Sequence, residues 1–417
     1  MNRAVRESGL LWPALWRLAL AGGLFVLTYA SCNRYTATRH DVGTWMWGWE
    51  RHIPFVRELV VPYWSLDFFF CGSFFLCASK TELNLLTKRL VAVTLASGIC
   101  FLLFPLKIGL PRPEPIGWTA PLFRALYAND MPYNLAPSLH IGLRSLVWVF
   151  YGAHLTGWIR KAAKLWFMLI GLSTLLVWQH HIIDVATGFV MGWFISSAIP
   201  DPLQPGTRNP SPTLALRYGA GAAACAALAP LWFGFAWPAV ALGIFSLAYA
   251  TGYSRLLGKE NGTISPSAEW CVLPVLVVAA FVQCRWLKRQ PLWRQVTPGV
   301  FFGRKPSRRE AAELVAQGSL AVLDLTAESN APSVFRERTY YLNLPLLDLV
   351  KPAADDISKA LDFIRTHQPK RRVFIHCQLG LQRSAIVVAH WLVAAGAAEN
   401  LDAARATVCA LDPDVVI

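Results

Sequence analysis

A nine-residue stretch near the end of the chain carries the strongest signal for chemistry. It reads His-Cys-Gln-Leu-Gly-Leu-Gln-Arg-Ser over residues 376–384. A cysteine and an arginine at this spacing can share one loop, in which converging backbone N–H groups bind an anion and hold the cysteine as a thiolate. Arg383 can contact two phosphate oxygens at once, and Gly380 permits a tight bend. The stretch therefore predicts a phosphate site with Cys377 as its nucleophile.

The segments around this stretch predict how it is positioned. Residues 372–375 read as a short buried strand and residues 384–396 as an apolar helix, which places the loop at a helix N-terminus, where anions bind well. The preceding residues alternate in the same way between strand-like and helix-like segments. The strand-like segments are 300–303, 320–325 and 340–344, and the helix-like segments are 308–317 and 355–367. This alternation predicts a small α/β domain.

This C-terminal part resembles a dual-specificity phosphatase of the protein tyrosine phosphatase superfamily. The resemblance implies that Cys377 is the nucleophile, that Arg383 clamps the phosphate, and that the hydroxyl of Ser384 eases departure of the thiolate. His376 and Gly380 would order the phosphate-binding loop. An inactive loop that only binds phosphate is the alternative.

The resemblance also implies a general acid. Asp348 lies 29 residues before Cys377 and matches the position of the family's mobile acid loop. It would protonate the leaving oxygen and then activate water against the phosphocysteine. Asp355 or Asp356 could be a displaced acid instead.

Three pieces of the first half also point to phosphate chemistry. Pro137-Ser138-Leu139-His140 begins one predicted helix, His180-His181-Ile182-Ile183-Asp184 begins another, and Lys107 to Pro113 ends a third. The pattern resembles the type 2 phosphatidic acid phosphatase superfamily over about residues 50–199, and its Pro-Ser-Leu-His form is similar to the branch shared with inositol phosphorylceramide and sphingomyelin synthases.

This second resemblance implies a role for each residue. His180 would form a phosphohistidine, Asp184 would orient it, and His140 would protonate the leaving alkoxide. The phosphate oxygens would be held by Ser138, the Leu139 N–H, Arg112 and Lys107.

The second pattern departs from its family in two places, and His181 competes with His180 as the nucleophile. Lys107 stands only five residues before Arg112, closer than in the family's first motif. Ser173-Thr174 occupies the place of a Ser-Arg pair, so one arginine clamp is absent. Only His180 has the expected spacing to Asp184.

Composition identifies the chain as an integral membrane protein. It has 417 residues, of which 55% are hydrophobic and 15% charged, with a mean hydropathy of +0.39. The net charge of +14 fits positive-inside loops and anionic lipid, and the basic residues flank apolar spans rather than forming a nucleic-acid stripe. The nine cysteines lack metal-ligand spacing, so we expect neither a metal nor a cofactor.

Eight apolar runs are long enough to cross a bilayer, and the first, residues 10–31, reads as a retained helix rather than a signal peptide. Basic residues after the second, fourth and sixth runs place the N-terminus in the cytoplasm and the loops 110–137 and 178–182 outside. The remaining runs are 55–79, 89–109, 138–158, 162–179, 182–199, 214–233 and 235–254.

These signals divide the chain into five parts. A six-helix phosphatidic acid phosphatase-like membrane domain covers 1–199, a Pro-rich linker 200–213, a two-helix hairpin 214–254, a re-entrant or interfacial connector 255–290, and the α/β phosphatase domain 291–417. Because basic residues flank both ends of 268–286, we expect no full crossing there, which leaves the last domain in the cytoplasm. A ninth crossing would put it outside.

The sequence thus predicts a bacterial inner-membrane phosphatase. Its substrates would be phosphomonoesters of phospholipids or lipid precursors, cleaved through phosphohistidine and phosphocysteine intermediates. Three alternatives stay open: head-group transfer at the membrane site, a membrane-tethered protein phosphatase, and a scaffold that senses phosphate without turnover. The expected partners are the membrane and a phosphorylated lipid or phosphoprotein, and no nucleic acid.

Overall fold

The computed structural model describes residues 6–202, 208–287 and 290–417; residues 203–207 of the predicted linker lie outside this description. The described chain is mostly helical, with one five-stranded sheet towards its C-terminus. It forms two compact units. One comprises the described residues up to 201 together with Ser265–Ala268, and the other comprises the described residues of Pro202–Ile264 and Glu269–Ile417.

The first unit is built from seven helices in its described residues. Its core is apolar, and α3 and α5 contribute most of it, with Leu83, Leu86, Val93 and Val147 fully buried. The helices are α1 (Leu11–Ala37), α2 (Val60–Leu76), α3 (Lys80–Leu103), α4 (Ala120–Asn129), α5 (Leu139–His154), α6 (Gly157–Leu176) and α7 (Ile182–Ala198).

The third predicted span, 89–109, is displaced towards the N-terminus in the structure. Helix α3 starts at Lys80 because the Ser79 hydroxyl accepts a hydrogen bond from the Glu82 N–H, at 3.1 Å. It ends at Leu103, since Pro105 lies two residues further on and restricts Phe104, the residue before it. The segment from Lys107 to Pro113 therefore does not end a helix. It has no regular secondary structure and follows a β-bridge between Gly43 and Leu106.

Among the described residues, five helices are long and apolar enough to cross a membrane. Four of them overlap predicted spans, whereas α5, α6, α7 and the next helix fall short in length or hydropathy. The fifth lies in the connector, which the sequence predicts not to cross. The five are Leu11–Ala37, Arg57–Leu76, Lys80–Leu103, Phe233–Thr251 and Pro266–Arg285.

The second unit starts with three helices and a small hairpin. Helices α8 (Pro212–Leu228) and α9 (Ala236–Thr251) pack as a pair, and Ser246 in α9 donates to the Ala215 carbonyl in α8 at 2.8 Å. The connector holds the two-residue strands β1 (Lys259–Glu260) and β2 (Thr263–Ile264). It continues as one unbroken helix, α10 (Pro266–Leu287), with Pro274 inside it.

The rest of the second unit is an α/β domain. Its sheet has the order β3-β4-β7-β5-β6, with only β3 antiparallel to its neighbour. Helices cover both faces, and the core between them includes Val300, Leu323, Ile375 and Val388. The strands are β3 (Trp293–Thr297), β4 (Val300–Gly303), β5 (Leu320–Thr326), β6 (Tyr340–Leu346) and β7 (Arg372–His376); the helices are α11 (Arg308–Ala316), α12 (Ser333–Arg338), α13 (Ala354–His367), α14 (Arg383–Ala394) and α15 (Leu401–Leu411).

Two elements of this domain are not predicted from the sequence. Strand β3 carries Arg and Gln among its five residues and gives no apolar run. Helix α15 lies beyond 384–396, the last helix-like segment that the sequence indicates. Asn400 caps it by accepting the Ala403 N–H at 2.9 Å, and Ala404 and Val408 are buried one turn apart.

Replacing Gly303 with alanine should destabilise the α/β domain. An added Cβ would overlap the backbone of Leu292 and Trp293, where β3 and β4 pair. We expect the free energy of unfolding to fall by about 1–3 kcal/mol, as for other overpacked sites. The measurement is thermal unfolding of the full chain in detergent, followed by near-ultraviolet circular dichroism. Gly243→Ala in α9, where nothing lies within 4 Å of the added Cβ, is the control; equal melting of the two variants would contradict the close packing.

Candidate active site

The predicted catalytic loop lies between β7 and α14, at the carboxyl edge of the sheet. Cys377 follows β7 directly and is 3% exposed. Its Sγ lies 3.3 Å from the Gly380 backbone N, which donates to it, and 3.4 Å from Ser384 Oγ. The Gly380 N–H and the Ser384 hydroxyl therefore both contact the sulfur, which is the arrangement expected of a cysteine nucleophile in an anion-binding loop.

Gly380 is required by the shape of this loop. Its φ of +83° lies in the left-handed region, which glycine adopts without strain. A Cβ at this position would also overlap the backbone of Gly303 and Arg304. The sequence prediction of a bend at Gly380 thus matches the backbone geometry.

Arg383 is buried and held by a network of oxygen atoms. Its two terminal nitrogens donate to both carboxylate oxygens of Glu328, at 2.9 and 2.6 Å, and one also donates to the Leu346 carbonyl at 2.9 Å. A second carboxylate, Asp348, lies 3.0 Å from Nη2. The Nε–H has no hydrogen-bond partner in the described chain, which leaves one buried donor on the guanidinium for a phosphate oxygen.

Among the three candidate acids, Asp348 is the one that contacts Arg383. Its side chain is 45% exposed, so it can reach both the arginine and a bound leaving group. Burial raises the pKa of Asp348, while the nearby Arg383 guanidinium acts to lower it. Asp355, on the first turn of α13, pairs with Lys359 of the same helix, and Asp356 is buried on that turn.

The His376 ring faces the interior of the domain. It is fully buried, and its Nε2 lies 3.9 Å from Asp324 Oδ1 in the neighbouring strand. Its Nδ1 is 3.3 Å from the Cys377 carbonyl oxygen. Burial lowers the pKa of His376 to about 4, so the ring is neutral at neutral pH. Its contact with the Cys377 carbonyl places it at the base of the loop.

The first unit places two of the predicted membrane-site residues on one small cavity. Arg112 and His180 both line it, together with Tyr29, Asp130 and Gln179. Arg112 donates to the Asp130 carbonyl at 2.7 Å, and the Tyr29 hydroxyl donates to the Asp130 carboxylate at 2.9 Å. Asp130 is thus a cavity residue that the sequence analysis does not single out; an acid in a loop between apolar runs is the only signal for it.

The two adjacent histidines of this region have different surroundings. His180 Nδ1 lies 3.6 Å from Asp184 Oδ2 and has no hydrogen-bond partner in the described residues. In His181, by contrast, Nδ1 is 3.1 Å from Glu50 Oε2, and Nε2 accepts the Gly109 N–H at 2.9 Å. Because both nitrogens of His181 are occupied, its lone pair is not free for attack, and this geometry favours His180.

The remaining membrane-site residues lie at the start of α5 and before α4. The Ser138 N–H donates to the Asp184 carbonyl at 2.9 Å, and this hydrogen bond connects the starts of α5 and α7. Leu139 is the first residue of α5. The His140 ring stacks on Tyr63 at 4.3 Å between centroids. Lys107 is exposed, and its side chain is not among those that line the cavity.

Sequence reasoning misses the acidic partners of the catalytic loop. Glu328 lies in the turn after β5 and Asp324 lies within β5, so both are far from Cys377 along the chain. One local signal exists, because ligands bind α/β sheets at the carboxyl ends of parallel strands, and carboxylates at such a strand end tend to line the binding site.

We expect Asp348→Asn to remove the alkaline limb of the pH–rate profile. A general acid must be protonated, so kcat of the parent chain should fall as pH rises through the pKa of Asp348. Asparagine cannot donate that proton, and kcat should drop by about 10²–10⁴-fold for alkyl phosphates, which have poor leaving groups. Steady-state kinetics of phosphate release measures both effects. Asp362→Asn, an exposed carboxylate on α13, is the control; an unchanged alkaline limb in Asp348→Asn would assign the acid elsewhere.

Comparison with known proteins identifies a family for the C-terminal domain. Residues 300–408 match the family model of the dual specificity phosphatase catalytic domain. Similar solved structures include Tk-PTP in its active form, with 24% identity over 30% of this chain and 88% of that chain and a TM-score of 0.28. PTPMT1 in complex with PI(5)P is 17% identical over 30% of this chain and 87% of that chain, with a TM-score of 0.28. A human DUSP28 variant is 19% identical over 30% of this chain and 86% of that chain, with a TM-score of 0.25. None of the curated proteins matches the sequence significantly. Residues 300–408 are thus a dual specificity phosphatase catalytic domain, carried at the C-terminal end of a largely helical chain.

Proposed function

We propose that this chain is a membrane-bound phosphatase that hydrolyses phosphomonoesters of phospholipids or lipid precursors. The observation that carries the proposal is the contact between apolar helices and the loops around Cys377. The Tyr249 hydroxyl in α9 donates to the Asp348 carbonyl in the acid loop, at 3.1 Å. Gln378 in the catalytic loop donates to Gln283 Oε1 in α10, at 2.7 Å.

These contacts favour a substrate that lies at a lipid surface. Helices α9 and α10 are among those long and apolar enough to enter a membrane. Loops that contact such helices lie close to the bilayer, so a phosphate group on a lipid can reach Cys377 without leaving the interface. A phosphoprotein would have to approach the same loops past the helices.

The proposed chemistry at Cys377 has two steps. The thiolate attacks phosphorus, an S–P bond forms, and the P–O bond to the leaving alkoxide breaks as Asp348 donates its proton. Water then attacks the phosphocysteine with Asp348 as base, and inorganic phosphate leaves while Ser384 stabilises the departing thiolate. Throughout, Arg383 and the loop N–H groups hold the phosphate oxygens.

A second phosphate site in the first unit is part of the proposal. His180 would form a phosphohistidine, oriented by Asp184, with His140 as the acid. Arg112, Ser138, the Leu139 N–H and Lys107 would hold the oxygens. The occupied ring nitrogens of His181 support His180 as the nucleophile. Head-group transfer is the second candidate at this site, because of the Pro-Ser-Leu-His form of its motif. A new phosphodiester lipid among the products would support transfer, and free phosphate alone would support hydrolysis.

We also propose an inner-membrane location with the phosphatase domain in the cytoplasm and the His180 site on the periplasmic side. Both ends of α10 support this arrangement. Asn330 contacts Glu269 near its start at 3.4 Å, and Gln378 contacts Gln283 near its end. Those two positions are separated by about 21 Å of helix axis, at 1.5 Å per residue. A helix that is hydrogen-bonded near both ends to one soluble domain lies along that domain, as an interfacial connector does. The domain then stays on the same side of the membrane as both ends of the helix.

The catalytic proposal predicts additive losses from the two sites. Phosphate release from phosphatidic acid in mixed micelles by the purified full chain should fall partly in Cys377→Ser and partly in His180→Ala, because each removes one nucleophile. The double variant should be inactive. His52→Ala, which changes an exposed histidine of the first unit, is the control and should keep full activity. Full activity in the double variant would reject both sites.

The topological proposal predicts the location of reporters. A fluorescent reporter that matures only in the cytoplasm should be active when fused after Ile417 and inactive when inserted after Glu114, in the predicted outer loop. Activity at Glu114 and none at Ile417 would reverse the topology, and inactivity at both would mean that α10 crosses the membrane.

A further inference from the structure

Lys259 lies outside the residues that match the phosphatase family, yet its side chain is buried inside the phosphatase domain. It belongs to β1, in the connector between α9 and α10. Its Nζ donates to Asp324 Oδ2 at 2.8 Å, to the Thr326 carbonyl at 2.8 Å and to the Thr326 hydroxyl at 2.6 Å. The side chains of Lys259 and Asp324 are both 0% exposed. All three ammonium protons therefore have an acceptor.

Asp324 links this lysine to the catalytic loop. It lies in β5 directly opposite His376 in β7, the residue before Cys377. Besides Lys259, its carboxylate accepts hydrogen bonds from the Tyr341 hydroxyl at 2.7 Å and from the Thr326 N–H at 2.9 Å. The ammonium of Lys259 is thus connected through one carboxylate to the base of the loop that binds phosphate.

The charge of Asp324 would oppose catalysis if it were not neutralised. A buried carboxylate is costly without a counter-charge, and its field extends to groups nearby because little water screens it. Here the nearby groups are the thiolate of Cys377 and a phosphate dianion, both negative. Among the described residues, Lys259 and His376 are the two basic partners of Asp324. Because His376 is neutral at neutral pH, Lys259 is the one that carries a positive charge.

We propose that Lys259 is a positioning residue of the phosphatase site: its ammonium neutralises Asp324, and the base of the catalytic loop therefore does not repel the thiolate and the anionic substrate. The connector between two apolar helices is then a functional part of the catalytic domain. This inference rests on phosphatase activity at Cys377 and does not depend on the identity of the substrate.

Other charged groups also face the cluster. Tyr341 and His376 interact electrostatically with Asp324, and Lys305 interacts with both Asp324 and Lys259. Glu328 and Arg383 interact electrostatically with Lys259. Burial lowers the pKa of Lys305 to about 8, so this second lysine is also a cation at neutral pH. Burial lowers the pKa of His376, Asp324 acts to raise it, and Lys259 lowers it further. Loss of Lys259 should accordingly let His376 take up a proton at a higher pH.

The test uses the full chain in detergent, with p-nitrophenyl phosphate as substrate and inorganic phosphate as inhibitor. In Lys259→Met, kcat/KM should fall and the inhibition constant of phosphate should rise, each by about tenfold, equivalent to one pKa unit of interaction. The deficit should shrink as pH falls, because protonated His376 replaces the missing charge. A defect of folding alone would lower the activity equally at every pH.

Two more variants keep the proposal falsifiable if Lys259→Met does not fold. Asp324→Asn leaves the lysine charge uncompensated, so phosphate should inhibit more strongly than in the parent. Lys259→Met/Asp324→Asn removes both charges, and its inhibition constant should return to within about threefold of the parent, since the two effects have opposite sign.

The control is Lys359→Met, which breaks an exposed ion pair on α13 and should change nothing. Weaker phosphate inhibition in Asp324→Asn, or parental kinetics in Lys259→Met, would overturn the proposal. Either result leaves the assignment of Cys377 intact, because that assignment fails only if Cys377→Ser retains hydrolysis of p-nitrophenyl phosphate.

Discussion

The ion pair between Arg383 and Glu328 is the interaction on which the phosphatase site depends. A guanidinium that is 1% exposed is stable only if carboxylates and carbonyls surround it. Here the acceptors come from the turn after β5, from β6 and from the loop that carries Asp348. The arginine therefore connects three separate segments to the helix that follows the catalytic loop, and this single buried cation fixes the position of Asp348 relative to Cys377.

The loop from Cys377 to Ser384, with its flanking strand and helix, could be predicted from sequence because its determinants are local. Cys377, Gly380, Arg383 and Ser384 lie within eight residues of one another, and the strand before them and the helix after them have clear hydrophobic patterns. Glu328 and Asp324 could not be found in this way. Their role depends on which strands become neighbours in the sheet, and the order β4-β7-β5-β6 is a property of long-range packing.

The helical half shows the same division between local and non-local information. Apolar runs predict that helices exist, whereas capping and proline decide where they begin and end, as at Ser79 and Pro105. The choice between His180 and His181 depends on Glu50 and Gly109, which approach the pair only in the folded unit. Spacing to Asp184 favours the same histidine, so a local signal and a tertiary one agree.

Helix α10, bonded near both ends to the phosphatase domain, has a kinetic consequence. With α10 at the membrane surface, as proposed above, a domain bonded to it in this way cannot swing into bulk solvent between turnovers, so its active site samples a surface rather than a volume. For a lipid substrate the relevant concentration is then the mole fraction in the bilayer, and dilution with inert lipid should slow the reaction at constant bulk concentration. Encounter becomes two-dimensional, and lateral diffusion of the lipid replaces diffusion through water as the upper limit on the rate.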